Sequence, residues 1–307
     1  MPAAKQRHDL LQKRLEQFTQ MLHGLDEGDV RALHRVRIAS RRLREVLPIL
    51  QLDAEVTRKL NRRLRKVTRR LGALRELDVL LLLLGGLHQS GRHDEQWLGR
   101  LAAAVSEERA EERERLFAKL PTAELHRIAG KLDKIARRLK ASEPSSLVRG
   151  RSDARSWRWA VEARVTRRAS GLTEAIHDAG AVYLHERLHA VRIALKKLRY
   201  AVEVSTDIAA APAARATSDL RTLKHAQDVL GRLHDVQVLI DRVRQLQAPL
   251  TPVDLAARPK LDALVTSLEN DCRRLHARYM RTRLALLTIC DRVGVRPVAS
   301  AVGQRVG

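Results

Sequence analysis

The chain has 307 residues with 59 Lys and Arg against 36 Asp and Glu, a net charge of +23 and a pI near 11.2; 44% of residues are hydrophobic and only 3% aromatic. That length suits two domains or one duplicated, and the longest unbroken apolar run, Val79 to Leu84, falls far short of the roughly 18 residues a membrane span requires. The opening MPAAKQRHDLLQKRLEQF interleaves charge with Leu at helical spacing, so no signal peptide is expected. Cys272 and Cys290 have no CxxC spacing and read as buried thiols of a reducing compartment. A soluble cytoplasmic protein with this excess of positive charge is expected to meet a polyanion.

Ala, Leu and Arg dominate while β-branched and aromatic residues are sparse, which predicts an all-α chain. In chain order the pattern predicts helices over 4–23, 29–51, 54–85, 94–119, 122–141, 154–179, 182–208, 215–247 and 257–292. Gly24 and Gly28 flank the first turn, Gly85-Gly86 are expected to stop the third helix, and Pro121 opens the fifth. ASEPSSLVRGRSD, 141–153, has linker composition, and the prolines at 212, 249 and 252 mark inter-helix loops. The expected division is 1–140 for a first four-helix half with 122–141 as an extra connector, 141–153 as linker, 154–292 as a second half, and 293–307 as a flexible tail.

Internal repetition supports that division. LHRVRIASRRLR from Leu33 and LHAVRIALKKLR from Leu188 are identical at eight of twelve positions, and two more exchange Arg for Lys. Each is followed at a similar distance by a second match, LGALRELDVLL from Leu71 and LGRLHDVQVLI from Leu230. Two ordered matches at nearly equal spacing make the chain a duplicated helical unit.

Charge placement carries the functional argument. At about 100° per residue, His34, Arg37, Arg41 and Arg44 share one side of their helix, away from Val36, Leu43, Leu47 and Leu50. His189, Arg192, Lys196 and Arg199 repeat this against Val191, Leu198 and Val202. Arg58, Arg62, Arg65, Lys66 and Arg69 line the next helix, and no acid occurs from Arg58 to Arg70; its counterpart keeps Arg221, Lys224, His225 and Arg232 but is interrupted by Asp228. A single charged stripe is ordinarily a solvated face. Here the spacing occurs twice, interspersed acids are missing, and Arg outnumbers Lys as bidentate phosphate contact favours.

These paired motifs, LHRVRIASRRLR and LHAVRIALKKLRY, each followed by an LG-x-L-x-[ED]-x-x-V segment, resemble the CHAD family, the conserved histidine α-helical domain, over about residues 5–292. The resemblance implies two four-helix bundles related by pseudo-twofold symmetry around a basic central cavity that binds inorganic polyphosphate, and an association with polyphosphate granules and their proteins. The binding residues it implies are His34, Arg37, Arg41, Arg42 and Arg44 with His189, Arg192, Lys196, Lys197 and Arg199; Arg62, Arg65, Arg69, Lys224 and His225 would complete the lining. The family commonly has Arg-Asp after the LG, where this chain has Arg75-Glu76, though Asp235 keeps the acid in the other half. No CYTH triphosphate-tunnel domain is evident, because the glutamates of SEERAEERERL, 106–116, stand at helical spacing and read as a solvated face with Glu111 and Arg115 paired.

Polyphosphate is a line of charges without bases, so rows of Arg and Lys suit it, whereas single-stranded nucleic acid is usually held on aromatic platforms. Of the tryptophans and tyrosines only Tyr200 adjoins a basic row. Nucleic acid is therefore the secondary partner, and a polyphosphate-processing enzyme the third reading. No P-loop, GxGxxG or acid pair for Mg²⁺ accompanies the histidines, so neither catalysis, a phosphohistidine nor a cofactor is expected. Basic residues beside His34 and His189 argue against metal binding, and His8-Asp9, His177-Asp178 and His234-Asp235 lack the additional ligands of a metal phosphohydrolase.

Overall fold

The computed structural model describes residues 3–26, 30–119, 122–141, 147–209, 214–247 and 258–294. They form nine α-helices, α1 Ala3–Asp26, α2 Val30–Val46, α3 Ala54–Gln89, α4 Glu95–Lys119, α5 Thr122–Ala141, α6 Leu147–Ala179, α7 His185–Ile208, α8 Ala214–Gln247 and α9 Arg258–Gly294, with a 3-10 turn at Leu47–Ile49. No strand occurs among the described residues. The all-α expectation holds. The turn at Gly28, Pro121, the loops at 212, 249 and 252, and the tail from 295 lie outside the described residues.

Two expected helix ends are corrected. α3 does not stop at Gly85-Gly86 but continues to Gln89 and ends before Gly91, whose φ of +61° is a left-handed conformation that glycine adopts without steric cost. Leu80, Leu83 and Leu84 are buried just before the glycine pair, so packing carries the helix into them. α6 begins at Leu147, inside the stretch read as linker.

The chain divides into two compact units that do not follow sequence order: Met1–Arg158 with Gly231–His276, and Trp159–Leu230 with Ala277–Gly307. In the first, α1 packs on α2 and α5, while α3 packs on α2 and α4. Leu11, Leu15, Phe18 and Leu22 of α1 and Leu125, Ile128, Leu132 and Ala136 of α5 are buried at three- and four-residue spacing, the signature of one packed helix face. The α2–α3 connection is tight because Pro48 ends α2 in the 3-10 turn, Leu47, Ile49 and Leu50 are buried, and Gln51 takes a φ of 55°. Asp53 then caps α3, its Oδ1 accepting from the Glu55 and Val56 amides at 2.9 and 3.0 Å. Such a cap is worth about 1 kcal/mol.

The second unit draws on α6, α7, α8 and α9. Leu188, Val191, Leu195, Leu198 and Val202 are buried on α7 in alternating steps of three and four, and Val161, Val165, Ala169, Leu172 and Ile176 play the same part on α6. Gly180, with φ of +62°, ends α6, and Arg187 Nη1 donates to the Asp178 carbonyl at 2.9 Å, satisfying a helix-end oxygen. Cys272 and Cys290 are both buried, and burial pushes the Cys290 thiol up to about 11, which disfavours its thiolate.

Candidate polyanion-binding surfaces

In the first unit the tight turn after α2 lays α3 against α2, and both helices carry basic residues. His34, Arg37, Arg41 and Arg44 are half-buried on one side of α2 and Arg42 is half-buried on its other flank, with Val36, Ala39, Ser40 and Leu43 buried between them on the packed face. His34 sits among charges from both helices. Burial, then the positive charges of Arg75 on α3 and Arg37 on α2, hold its imidazole below the ordinary histidine range; Asp78 opposes this and Arg41 adds to it. Among the described residues its buried Nδ1 has no hydrogen-bond partner.

On α3, Arg58, Arg62, Arg65, Lys66 and Arg69 are exposed, and none has an ion-pair partner among the described residues. Their neighbours on the same helix differ. Lys59 pairs with Glu55 at 2.5 Å and Arg63 with Glu124 of α5 at 3.5 Å. Carboxylates are thus supplied to one flank of α3 and withheld from the other, where like charges one turn apart cost a few tenths of a kcal/mol per pair.

The acid after the LG motif is explained by the same helix. Glu76 is exposed, whereas Asp78 accepts from Arg109 Nε of α4 at 2.6 Å, with both side chains about three-quarters covered. Asp78 fastens α3 to α4. Arg75, read from sequence only as part of a family departure, instead reaches the electrostatic field of His34. Its alignment with His234 in the repeat was the available signal.

In the second unit His189, Arg192 and Lys196 are half-buried along α7. His185, one turn before His189 and absent from the sequence-based set, places its ring centroid 6.4 Å from that of His189. Burial, then Arg192, His185 and Lys196, keep His189 below the ordinary histidine range. Lys197 is exposed, a quarter-turn around from Lys196. On α8, Lys224 and His225 are exposed, and Lys224 Nζ pairs with Asp228 at 2.8 Å.

Arg199 stands apart from the others. Its Nε donates to Gln227 Oε1 of α8 at 2.9 Å, its Nη1 pairs with Glu203, and its guanidinium lies 4.7 Å from the Tyr200 ring centroid. The structure therefore brings His34, Arg37 and Arg41 together with Arg75, and His189, Arg192 and Lys196 together with His185, but turns Arg199 inward. Among the described residues no group of three or more His, Cys, Asp or Glu side chains is placed to hold a metal ion, and no helix is long and apolar enough to cross a membrane.

An all-α protein with a duplicated His/Arg helix face is the class that fold and surface define. A family model described as the CHAD domain matches residues 9–244, and the chain belongs to that family, which is linked in general to polyphosphate binding. Among solved structures the chain is similar to PptA from Streptomyces chartreusis, with a TM-score of 0.63 and 20% identity over 92% of this chain and 99% of that one. It is also similar to the CHAD domain from the plant Ricinus communis, with a TM-score of 0.61 and 21% identity over 96% of this chain and 93% of that one. At such identities the likeness concerns the fold. No curated protein matches the sequence.

Proposed function

We propose that the protein binds inorganic polyphosphate without turning it over, through His34, Arg37, Arg41, Arg42 and Arg44 with Arg62, Arg65 and Arg69 in the first unit and through His189, Arg192, Lys196 and Lys197 in the second, with Lys224 and His225 at its margin. The observation that carries this reading is the exposed row of α3, which has no ion-pair partner among the described residues, on a helix packed against α2 with its half-buried His34, Arg37 and Arg41. A flexible polyphosphate relieves the mutual repulsion of such a row and accepts charge-assisted hydrogen bonds at every repeat. Recognition needs no aromatic platform. Binding of this kind would also carry the protein to polyphosphate granules.

Affinity arises mainly from counterion release and so falls steeply with salt. The decisive measurement compares long-chain polyphosphate, triphosphate and single-stranded DNA at two salt concentrations. Polyphosphate is expected to bind most tightly at equal phosphate concentration; displacement by an equal amount of DNA would favour the nucleic-acid reading. Phosphate release by the purified protein with Mg²⁺ or Mn²⁺ would overturn the non-catalytic assignment.

A further inference from the structure

Arg199 ends the second repeat motif where Arg44 ends the first, yet its surroundings are unlike those of an anion ligand. Its side chain is only 14% exposed and that of its partner Glu203 19%. Three kinds of contact occupy it: an ion pair one turn along α7, a hydrogen bond across to Gln227 of α8, and the Tyr200 ring, itself buried, beneath the guanidinium plane. A phosphate approaching it meets a charge already compensated by a half-buried carboxylate. To bind there it must break a charge-assisted bond in a partly desolvated site, which is costlier than opening a surface pair. The first repeat cannot form the same pair one turn along the helix, because four residues after Arg44 stands Pro48.

From this geometry we infer that Arg199 is a positioning residue and not a phosphate ligand: it fastens α7 to α8 through Gln227 and thereby holds the turns that present Lys196, Arg192 and His189. The planar guanidinium is suited to this, since one side chain donates in two directions and stacks at once. The inference rests on the polyphosphate reading, because that reading gives the held turns their ligand.

The test uses the full chain and long-chain polyphosphate, with affinity measured across salt concentrations well below every variant's melting temperature. Arg199→Gln and Gln227→Leu are each expected to lower Tm and to weaken polyphosphate binding about three- to tenfold while leaving the salt slope unchanged, whereas Arg192→Gln lowers the slope by about one. The melting effects of Arg199→Gln and Gln227→Leu should be strongly non-additive in the double variant, since both break one bond. A slope loss for Arg199→Gln equal to that for Arg192→Gln would make Arg199 a ligand and overturn the inference. Unchanged affinity in both folded variants would also overturn it, reducing the contact to plain stabilisation. If Arg199→Gln does not fold, Gln227→Leu, which keeps the guanidinium and Glu203, decides alone. Should the wild-type chain fail to bind polyphosphate, the proposed function falls, while additive melting effects would separately defeat the clamp.

Discussion

The α2/α3 pair of the first unit and the α7/α8 segments of the second carry the same two repeated motifs but distribute their acids differently. Along α3, five cations face solvent with no carboxylate in ion-pair reach among the described residues. In the second unit Asp228 neutralises Lys224, Glu203 neutralises Arg199, and the buried Asp219 of α8 pairs with Arg292 of α9. The His/Arg motif fixes where cations stand on α2 and α7, while the row of α3 and Lys224 of α8 lie outside it. Whether those cations are available to an anion is decided by residues outside the motif, one turn or one helix away.

The comparison is broken most directly by reversing charge on its two members. Arg62→Glu, Arg65→Glu and Arg69→Glu together should cost polyphosphate affinity at least about a hundredfold, with the helical circular dichroism unchanged. Lys224→Glu should cost no more than about threefold, because its charge is already compensated in an exposed pair. Equal losses in the two would mean that the flanking acids do not matter.

Single substitutions within the rows come next. Arg37→Glu and Arg192→Glu should each weaken binding about tenfold or more, the scale of one charged hydrogen bond, and each should flatten the salt dependence. Loss of fold in place of lost binding would make these arginines structural.

Acidification gives a smaller effect with a defined sign. His34 and His189 titrate below the ordinary histidine value in the ligand-free protein, so they are neutral where the unfolded chain begins to take up protons. The ligand-free fold is therefore weakened by them as pH falls through about 6.5 towards their folded values, and is unaffected above that range. Phosphate oxygens beside either ring favour its protonated form. Polyphosphate should consequently bind more tightly at pH 6 than at pH 8, and its stabilisation of Tm should grow on acidification. Calorimetric titrations in buffers of different ionisation enthalpy would detect the proton uptake; its absence would remove both histidines from the site. The smallest effect expected is from Asp228→Asn, which releases Lys224 and should raise affinity about twofold, bringing the second unit nearer to the first.

Much of this was legible in sequence, for physical reasons. Leu188, Val191, Leu195, Leu198 and Val202 announce a packed helix face by spacing alone, and their burial follows it. The missing acids between Arg58 and Arg70 were equally visible, since ion-pair supply along a helix is local. What escaped depends on tertiary packing. Glu203 stands one turn from Arg199 in the sequence, but nothing local says that Gln227 approaches from another helix or that the trio is covered. Arg75 gains meaning only once α3 lies against α2. The glycine pair misled because a helix interior tolerates glycine at about 1 kcal/mol each, less than the flanking leucines contribute by burial.

Gly85 and Gly86 have a consequence for motion. Both are exposed and nothing lies within 4 Å of where a Cβ would stand, so the last turn of α3 carries glycine's entropic cost without any packing return at those positions. That end should therefore open more easily than the helix centre, with backbone amides of Leu87 to Gln89 exchanging with solvent ahead of those in the middle of α3. Asp78, bonded to Arg109, stands between the glycines and the basic row. Opening of that turn would leave the spacing of Arg58 to Arg69 undisturbed, so the helix could breathe at one end while keeping its charges in register at the other.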